Sequence, residues 1–177
     1  MATLNAALDA IERHLNFPRS RSTGVSRRLQ EAILLPSGAP GVPPDMDDDN
    51  VLDLVVALAS DTELHNAVDA VEAFHRMTPG GVSLVDAPQS IPSAPIAVAI
   101  LIEDARAGVA DARKSQIEIS HNASALALHK PAAQAVRFCM PGQDAGHWAS
   151  RGHHKSITLN VAAIADALDD IFGKVIA

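Results

Sequence analysis

Residues 51–60 have the sequence VLDLVVALAS, in which Asp53 and Ser60 are the polar positions. A helix with apolar side chains on all sides is typical of the centre of a protein core. The preceding segment, Asp45–Asn50, contains four aspartates. Carboxylates stabilise the first turn of a helix because they face the positive end of its dipole. The sequence therefore predicts a buried central helix that begins near residue 50.

Two helices are predicted before this central helix. The first, Thr3–Leu15, has a capping residue in Thr3 and leucine and isoleucine side chains at helical spacing on one face. Asn16-Phe17-Pro18 ends it, because the residue before a proline is disfavoured in a helix. A short basic turn, Arg19–Ser22, is expected to follow, and the second helix is predicted over Thr23–Leu34.

Another helix and then a linker are predicted after the central helix. The apolar positions from Leu64 to Phe74 recur at helical spacing, and Thr78-Pro79-Gly80-Gly81 is a strong helix stop. The segment Gly81–Pro95 contains three prolines among small residues, as linkers often do. The composition of Ile96–Ala107 favours a helix.

The apolar pattern then changes to the period of two that strands show. Gln116–Ser120, Ala125–His129 and Ala135–Cys139 are predicted to be short strands of an antiparallel meander. Ser156–Val161 is a candidate for one more strand, and Val161–Phe172 is predicted to be a closing helix stopped by a glycine.

Together these elements predict an α+β fold with two parts. Residues 1–80 are expected to form a helical domain that resembles a helix-turn-helix, and residues 81–95 a linker. Residues 96–177 are expected to form a small domain of antiparallel strands plus helix.

The sequence predicts a cytoplasmic protein that does not contact a membrane. The N-terminus lacks a basic segment followed by an apolar one, so we predict no secretion signal. The longest apolar runs are far shorter than the roughly 20 residues that a spanning helix needs. The single cysteine, Cys139, cannot form an internal disulfide and fits a reducing compartment.

Charge is distributed unevenly along the chain. The net charge is −7, yet the segment from Arg13 to Gln30 contains five arginines and no acid. Between Asp45 and Asp104 there are twelve acids, and Arg76 is the one arginine or lysine. A basic segment on an acidic chain indicates a local contact with a polyanion rather than a wholly basic binding surface.

The basic segment has the outline of a helix-turn-helix. In that motif the second helix lies in the major groove, where Arg and Gln side chains can contact base edges, while arginines in the turn contact phosphates. The predicted turn, Asn16–Ser22, is longer than the about three to four residues of the compact motif. A helical hairpin with a solvated arginine face is the alternative, and Pro36–Pro44 could form a wing. The candidate DNA contacts are Arg19, Arg21, Ser26, Arg27, Arg28 and Gln30.

The order of parts resembles the layout of phage small terminase subunits. The stretch 27–36, RRLQEAILLP, also looks like the second helix of prophage-type DNA-binding proteins. In the terminase family the helical head binds viral DNA, the middle forms a ring and the tail contacts the large packaging subunit. The resemblance implies a non-enzymatic, homo-oligomeric protein that binds double-stranded DNA for packaging, with a large packaging subunit as a further partner.

Three other functions stay open at this point. The same helices could belong to a transcriptional regulator, or the chain could be an oligomeric structural or adaptor protein that binds no nucleic acid. An enzyme with its site in the histidine-rich C-terminal half is a further alternative.

The residues that could support catalysis or metal binding do not form a recognisable motif. The C-terminal half contains Cys139 and a group of histidines, namely His121, His129, His147, His153 and His154. They lack the paired short spacings of zinc sites, so we predict no metal and no cofactor. Cys139 with a histidine, or Ser156 with a neighbouring histidine and Asp144, could form a dyad or triad only in a suitable geometry. The acidic run before the central helix lacks the glycine and distal glutamate of a calcium loop.

Overall fold

The computed structural model describes residues 2–39, 41–83, 91–121, 124–143 and 153–174. The α-helices are α1 (Leu4–Leu15), α2 (Arg19–Glu31), α3 (Asp48–Ala59), α4 (Ala67–Arg76), α5 (Ala94–Arg106), α6 (Ala110–Arg113) and α7 (Val161–Phe172). The strands are β1 (Ala2–Thr3), β2 (Asp45–Met46), β3 (Thr78–Pro79), β4 (Gln116–Ser120), β5 (Ala125–His129), β6 (Val136–Cys139) and β7 (Ser156–Asn160). A 3₁₀ turn, Leu64–Asn66, precedes α4. The predicted α+β class, with helices first and strands followed by a helix later, is confirmed.

Helix α3 is the central helix that its sequence predicts. Asp47 caps it, and a reciprocal hydrogen bond from the Asp47 backbone N–H to the Asn50 side chain completes a capping box. Every residue from Val51 to Ala59 is buried. Asp47, Asp48 and Asp49 of the acidic run therefore form the start of the helix, as expected, while Asp45 belongs to β2.

Helices α1 and α2 differ in how well their sequence predicts them. The Thr3 side chain caps α1 by accepting from the Ala6 backbone N–H, as predicted. The predicted start of α2 at Thr23 is wrong, because α2 already begins at Arg19. The Glu12 carboxylate of α1 accepts the Arg19 backbone N–H at 3.0 Å and so caps α2 from outside its own segment. The turn between the helices therefore consists of residues 16–18.

A five-stranded antiparallel sheet forms in the order β3-β6-β5-β4-β7. The predicted meander of β4, β5 and β6 is confirmed, with Ile117 opposite Leu128 and Leu126 opposite Phe138. Strand β7 extends the sheet beside β4. The sequence pattern missed β3, because two residues that include a proline give no alternation to detect.

Two strand-type contacts hold the segment between α2 and α3. Strand β2 pairs with β1 in a separate two-stranded sheet, which ties the start of the chain to the entry of α3. An antiparallel bridge joins Ala39 to Val42. The predicted non-helical excursion over Pro36–Pro44 thus has hairpin character in its described residues.

The described residues do not separate into the two predicted domains. Helix α7 packs against α1 and α5, and one core cluster includes Leu8 of α1, Val55 of α3 and Ile164 of α7. An ion pair between Arg13 and Asp170 also joins α1 to α7. Apolar faces from both halves are therefore buried against each other rather than in two separate cores.

The predicted linker connects two parts of this shared core. The Ala94 backbone N–H donates to the Met77 carbonyl at 3.0 Å, so the chain returns close to where it left α4. Residues 84–90 of the predicted linker lie outside the described residues. Ala94 and Pro95 of the predicted linker belong to α5, and residues on both sides of this segment share one core cluster, so its composition does not mark a boundary between two cores.

Across the ranges that the structure describes, no helix is both long enough and apolar enough to cross a membrane.

Candidate functional site

The α1–α2 unit has the turn length of a compact helix-turn-helix. Residues 16–18 connect the helices, and a turn of this length is within the range of about three to four residues that the motif uses. The longer turn predicted from the sequence is wrong because α2 starts earlier. Helix α2 buries Val25 and Leu29 against its neighbours α1, α3 and α4. Its opposite face is exposed to solvent at Ser20, Thr23, Arg27 and Arg28.

The two arginines predicted to contact phosphates are held within the protein. The Arg19 guanidinium forms an ion pair with Asp9 and donates to the Asn5 side chain at 3.1 Å. The half-buried Arg21 guanidinium donates to the Thr62 carbonyl. Because Arg21 points toward the 3₁₀ turn and α4, it does not lie on the exposed face of α2.

Two of the predicted polar contacts are unsuited to DNA. The Ser26 side chain is buried, with 2% of the residue exposed, and its hydroxyl donates to the Thr23 carbonyl at 3.0 Å. The Gln30 amide donates to the Pro36 carbonyl at 2.9 Å and so holds the excursion against α2. The prediction that Ser26 contacts bases is corrected, because this residue faces the core side of the helix.

The remaining two predicted residues are exposed. Arg28 forms an ion pair with Glu31 one turn away at 2.8 Å, and both side chains are about half exposed. Arg27 is exposed, and its guanidinium makes no hydrogen bond or ion pair with any described residue. Ser20 and Thr23 lie on the same exposed face. They were not predicted as contacts, because the sequence placed Ser20 in the turn and Thr23 at the start of the helix.

A cavity of about 300 Å³ lies between the helices α3 and α4 and the strands β4 and β5. Its apolar walls are Val56, Phe74, Met77, Ile119 and Leu126. Polar side chains also line it, namely Ser60, Thr62, Asn66, Asp69, Ser120, His121 and Ser124. This cavity could not be predicted from the sequence, because its walls come from four elements that are distant along the chain.

A polar depression of about 580 Å³ adjoins this cavity. Thr62, Asn66 and His121 line both spaces. Charged side chains make up the rest of the depression, namely Arg21, Asp61, Glu63 and Lys155. The two spaces together form an amphipathic cleft, with an apolar interior and a charged mouth.

A carboxylate–imidazole pair lies on the other side of α4. Asp53, which is 7% exposed, is 2.6 Å from His75 Nε2. Burial raises the pKa of the Asp53 carboxyl above its usual 3.8, the hydrogen bond and charge of His75 offset part of that rise, and Asp49 and Asp47 add to it. A polar residue inside the central helix thus has a partner in α4.

The Asp53→Asn variant is expected to gain stability relative to the wild type as the pH rises above 3.8. A carboxyl whose folded pKa is raised stabilises the protein fully below the unfolded pKa, and that contribution is lost as the pH rises through the folded pKa. Glu118→Gln should show the opposite sign. Burial works to raise the pKa of Glu118, but hydrogen bonds from His129 and Ser156 hold it below 4.5, so its contribution is lost as the pH falls.

The measurement is the free energy of unfolding by urea from pH 3.5 to pH 7 for both variants and the wild type. Taking the difference from the wild type at each pH removes the titration of the groups that do not interact with Asp53 or Glu118. Parallel slopes for the two variants would contradict the assignment of opposite shifts.

The residues considered for catalysis or metal binding do not converge. In the described ranges, no three His, Cys, Asp or Glu side chains come together as a metal site requires. Cys139 is buried in β6 with its thiol directed to the Gln143 carbonyl, and His129 pairs with Glu118 at 2.9 Å. Asp144 and His147 lie outside the described residues.

The chain matches no family model, and it has no significant match to a curated protein or to a solved structure.

Proposed function

We propose that the protein is a non-enzymatic DNA-binding protein whose contact surface is the exposed face of α2. The observation that supports this most directly is Arg27. It is an exposed arginine with no partner among the described residues, on the second helix of a pair joined by a turn of compact length. Arginine is the side chain best suited to contact phosphates and the edge of guanine.

The neighbours of Arg27 suit the same surface. Ser20 and Thr23 lie on its face of the helix, and hydroxyls commonly donate to phosphate oxygens. Arg28 is engaged in an ion pair with the exposed carboxylate of Glu31. Such surface pairs contribute about 1 kcal/mol or less, so the Arg28 guanidinium can exchange this carboxylate for a phosphate. Gln30 holds the bridged excursion against α2, and we propose that this excursion acts as a wing.

The acidic middle of the chain restricts where a duplex can bind. Asp45–Asp104 contains twelve acids and one arginine, so the surfaces formed by this part repel a duplex. We therefore expect weak binding at physiological salt and a steep dependence on ionic strength.

Packaging is the specific role that we propose, as a small terminase subunit acting in a homo-oligomer with a large packaging subunit. The support is the resemblance of the order of parts in the sequence. A ring of about eight or more subunits in sedimentation would favour this role, while a two-fold dimer would favour a transcriptional regulator.

The test of DNA binding is the double substitution Arg27→Ala with Arg28→Ala. Each lost phosphate contact reduces the slope of log affinity against log salt by about 0.9, so the slope should become shallower by about 2 and affinity should fall at every salt concentration. The measurement is a fluorescence anisotropy titration of a labelled duplex at several salt concentrations.

The matched control is Arg76→Ala with Lys130→Ala, which removes the same charge from exposed positions on α4 and after β5. This control should bind as the wild type does. Equal losses in both double variants would indicate an effect of net charge alone. If the wild type shows no affinity for duplex DNA at low salt, the α2 face is only solvated, and the adaptor alternative is favoured.

A further inference from the structure

The amphipathic cleft between α3, α4 and the sheet has the features of a small-molecule site. Its interior of about 300 Å³ is at the lower end of the size of ligand pockets. Phe74, Met77 and Leu126 line it although they are nearly inaccessible to solvent, with 1%, 5% and 1% exposed. This interior suits an apolar body of moderate length.

The neck of the cleft contains a polar atom that the protein does not satisfy. The hydroxyl oxygen of Thr62 is buried and has no hydrogen-bond partner within the described part of the chain. Buried hydroxyls are almost always hydrogen-bonded. Because Thr62 lines both the interior and the mouth, its hydroxyl lies where a ligand would pass from an apolar to a polar environment.

The mouth contains a cation that can still accept a ligand. Arg21 donates to the Thr62 carbonyl, and a guanidinium has five N–H donors in a planar fork. The two acids at the mouth contact other side chains. Asp61 is paired with Lys155, and Glu63, whose side chain is 80% exposed, is 3.4 Å from His65. Arg21 is therefore the charged group best placed for a ligand head.

We propose that this cleft binds a small amphipathic monocarboxylic acid. The apolar chain occupies the interior, and the carboxylate lies at the mouth against the Arg21 guanidinium and the Thr62 hydroxyl. Arginine matches a carboxylate through two parallel hydrogen bonds. Asp69, an exposed residue of α4, also lines the cavity, and its negative charge disfavours a carboxylate beside it, so the head of the ligand lies against Arg21. This inference does not depend on DNA binding, because Arg21 faces away from the exposed side of α2.

The test uses the full chain and three probes that share a ten-carbon chain and differ in the head: decanoate, decanol and decyltrimethylammonium, each below its aggregation concentration. Isothermal titration calorimetry should show saturable binding of one decanoate per chain. Decanol should bind more weakly, because it lacks the charge that Arg21 contacts. Tighter binding of decyltrimethylammonium would overturn the proposal, because Asp69 and not Arg21 would then select the head. Absence of saturable decanoate binding would overturn it as well.

Substitutions at two positions test whether the probe lies in the cleft. Arg21→Gln should weaken decanoate by about tenfold and leave decanol unchanged. Arg21→Lys, which keeps the charge but not the two parallel hydrogen bonds, should recover part of the loss. Ala70→Phe, at a half-buried position in the cavity wall, should reduce the affinity for both probes by filling the interior.

The controls are Arg76→Gln and Ala6→Phe, which make the same changes at exposed positions on α4 and α1. They should bind decanoate as the wild type does. Undiminished decanoate binding by Ala70→Phe would overturn the assignment of the interior.

Discussion

Replacing Arg106 by leucine is expected to lower the free energy of unfolding by about 3 kcal/mol or more. The Arg106 side chain is 8% exposed and joins three segments. It donates to Asp169 of α7 at 2.8 Å, to Asp48 at the start of α3 at 2.6 Å and to the Gly173 carbonyl at 3.0 Å. Removing the guanidinium leaves the largely buried Asp169 carboxylate without its cation, which is the costly way to break a buried pair.

The matched control for Arg106 is Arg113→Leu. Arg113 pairs with Asp166 on the same helix α7, but both side chains are more than one third exposed, so its loss should cost about 1 kcal/mol or less. Adding Asp169→Asn to Arg106→Leu should recover part of the stability, because the unpaired buried charge is then removed. Urea denaturation of the variants measures these differences. Equal losses of unfolding free energy in the Arg106 and Arg113 variants would show that burial does not determine how strongly an ion pair stabilises this protein.

The Gly81→Ala variant is expected to lose about 3 kcal/mol of stability. Gly81 has a φ of 71°, and a left-handed conformation costs an alanine about 1–2 kcal/mol. A Cβ at this position would also lie 2.3 Å from the Gln143 carbonyl oxygen and 2.9 Å from the Met140 carbonyl oxygen. Backbone atoms cannot rotate away as a flexible side chain can, so the turn after β3 must shift, at a further cost of about 1–3 kcal/mol.

Gly80→Ala separates these two contributions. Gly80 also has a left-handed φ, 60°, but a Cβ there would meet nothing within 4 Å. It should therefore lose only the conformational part, about 1–2 kcal/mol. Thermal unfolding followed by circular dichroism compares the two variants. If Gly80→Ala is destabilised as much as Gly81→Ala, the close approach of the Met140 and Gln143 carbonyls to Gly81 contributes nothing to the loss of stability.

Helices and strands that are specified by residues close together along the chain were predictable from the sequence. Helix α1 has its cap at Thr3 and its stop at Asn16, and α3 has its acidic first turn and its apolar circumference. The strands β4 and β5 alternate with a period of two. Each of these signals acts between residues that are close along the chain, so one segment is enough to detect it.

Elements that depend on a distant partner were not predictable in this way. Helix α2 begins four residues before its predicted start at Thr23, because the Glu12 carboxylate of the preceding helix accepts the Arg19 backbone N–H. Strand β3 exists through its pairing with β6. The shared core of α1, α5 and α7 joins residues more than a hundred positions apart, which no local composition reports.

By itself, the sequence determined the α+β class, the central position of α3 and the concentration of positive charge near the start of the chain, because these follow from composition and local periodicity. Only the tertiary structure decided where the arginines point. Arg21 is directed into the cleft and Ser26 into the core, while Arg27 stays exposed to solvent. The physical reason is that long charged side chains pair with whatever carbonyl or carboxylate the packing of the helices brings within reach, and that packing depends on the whole chain.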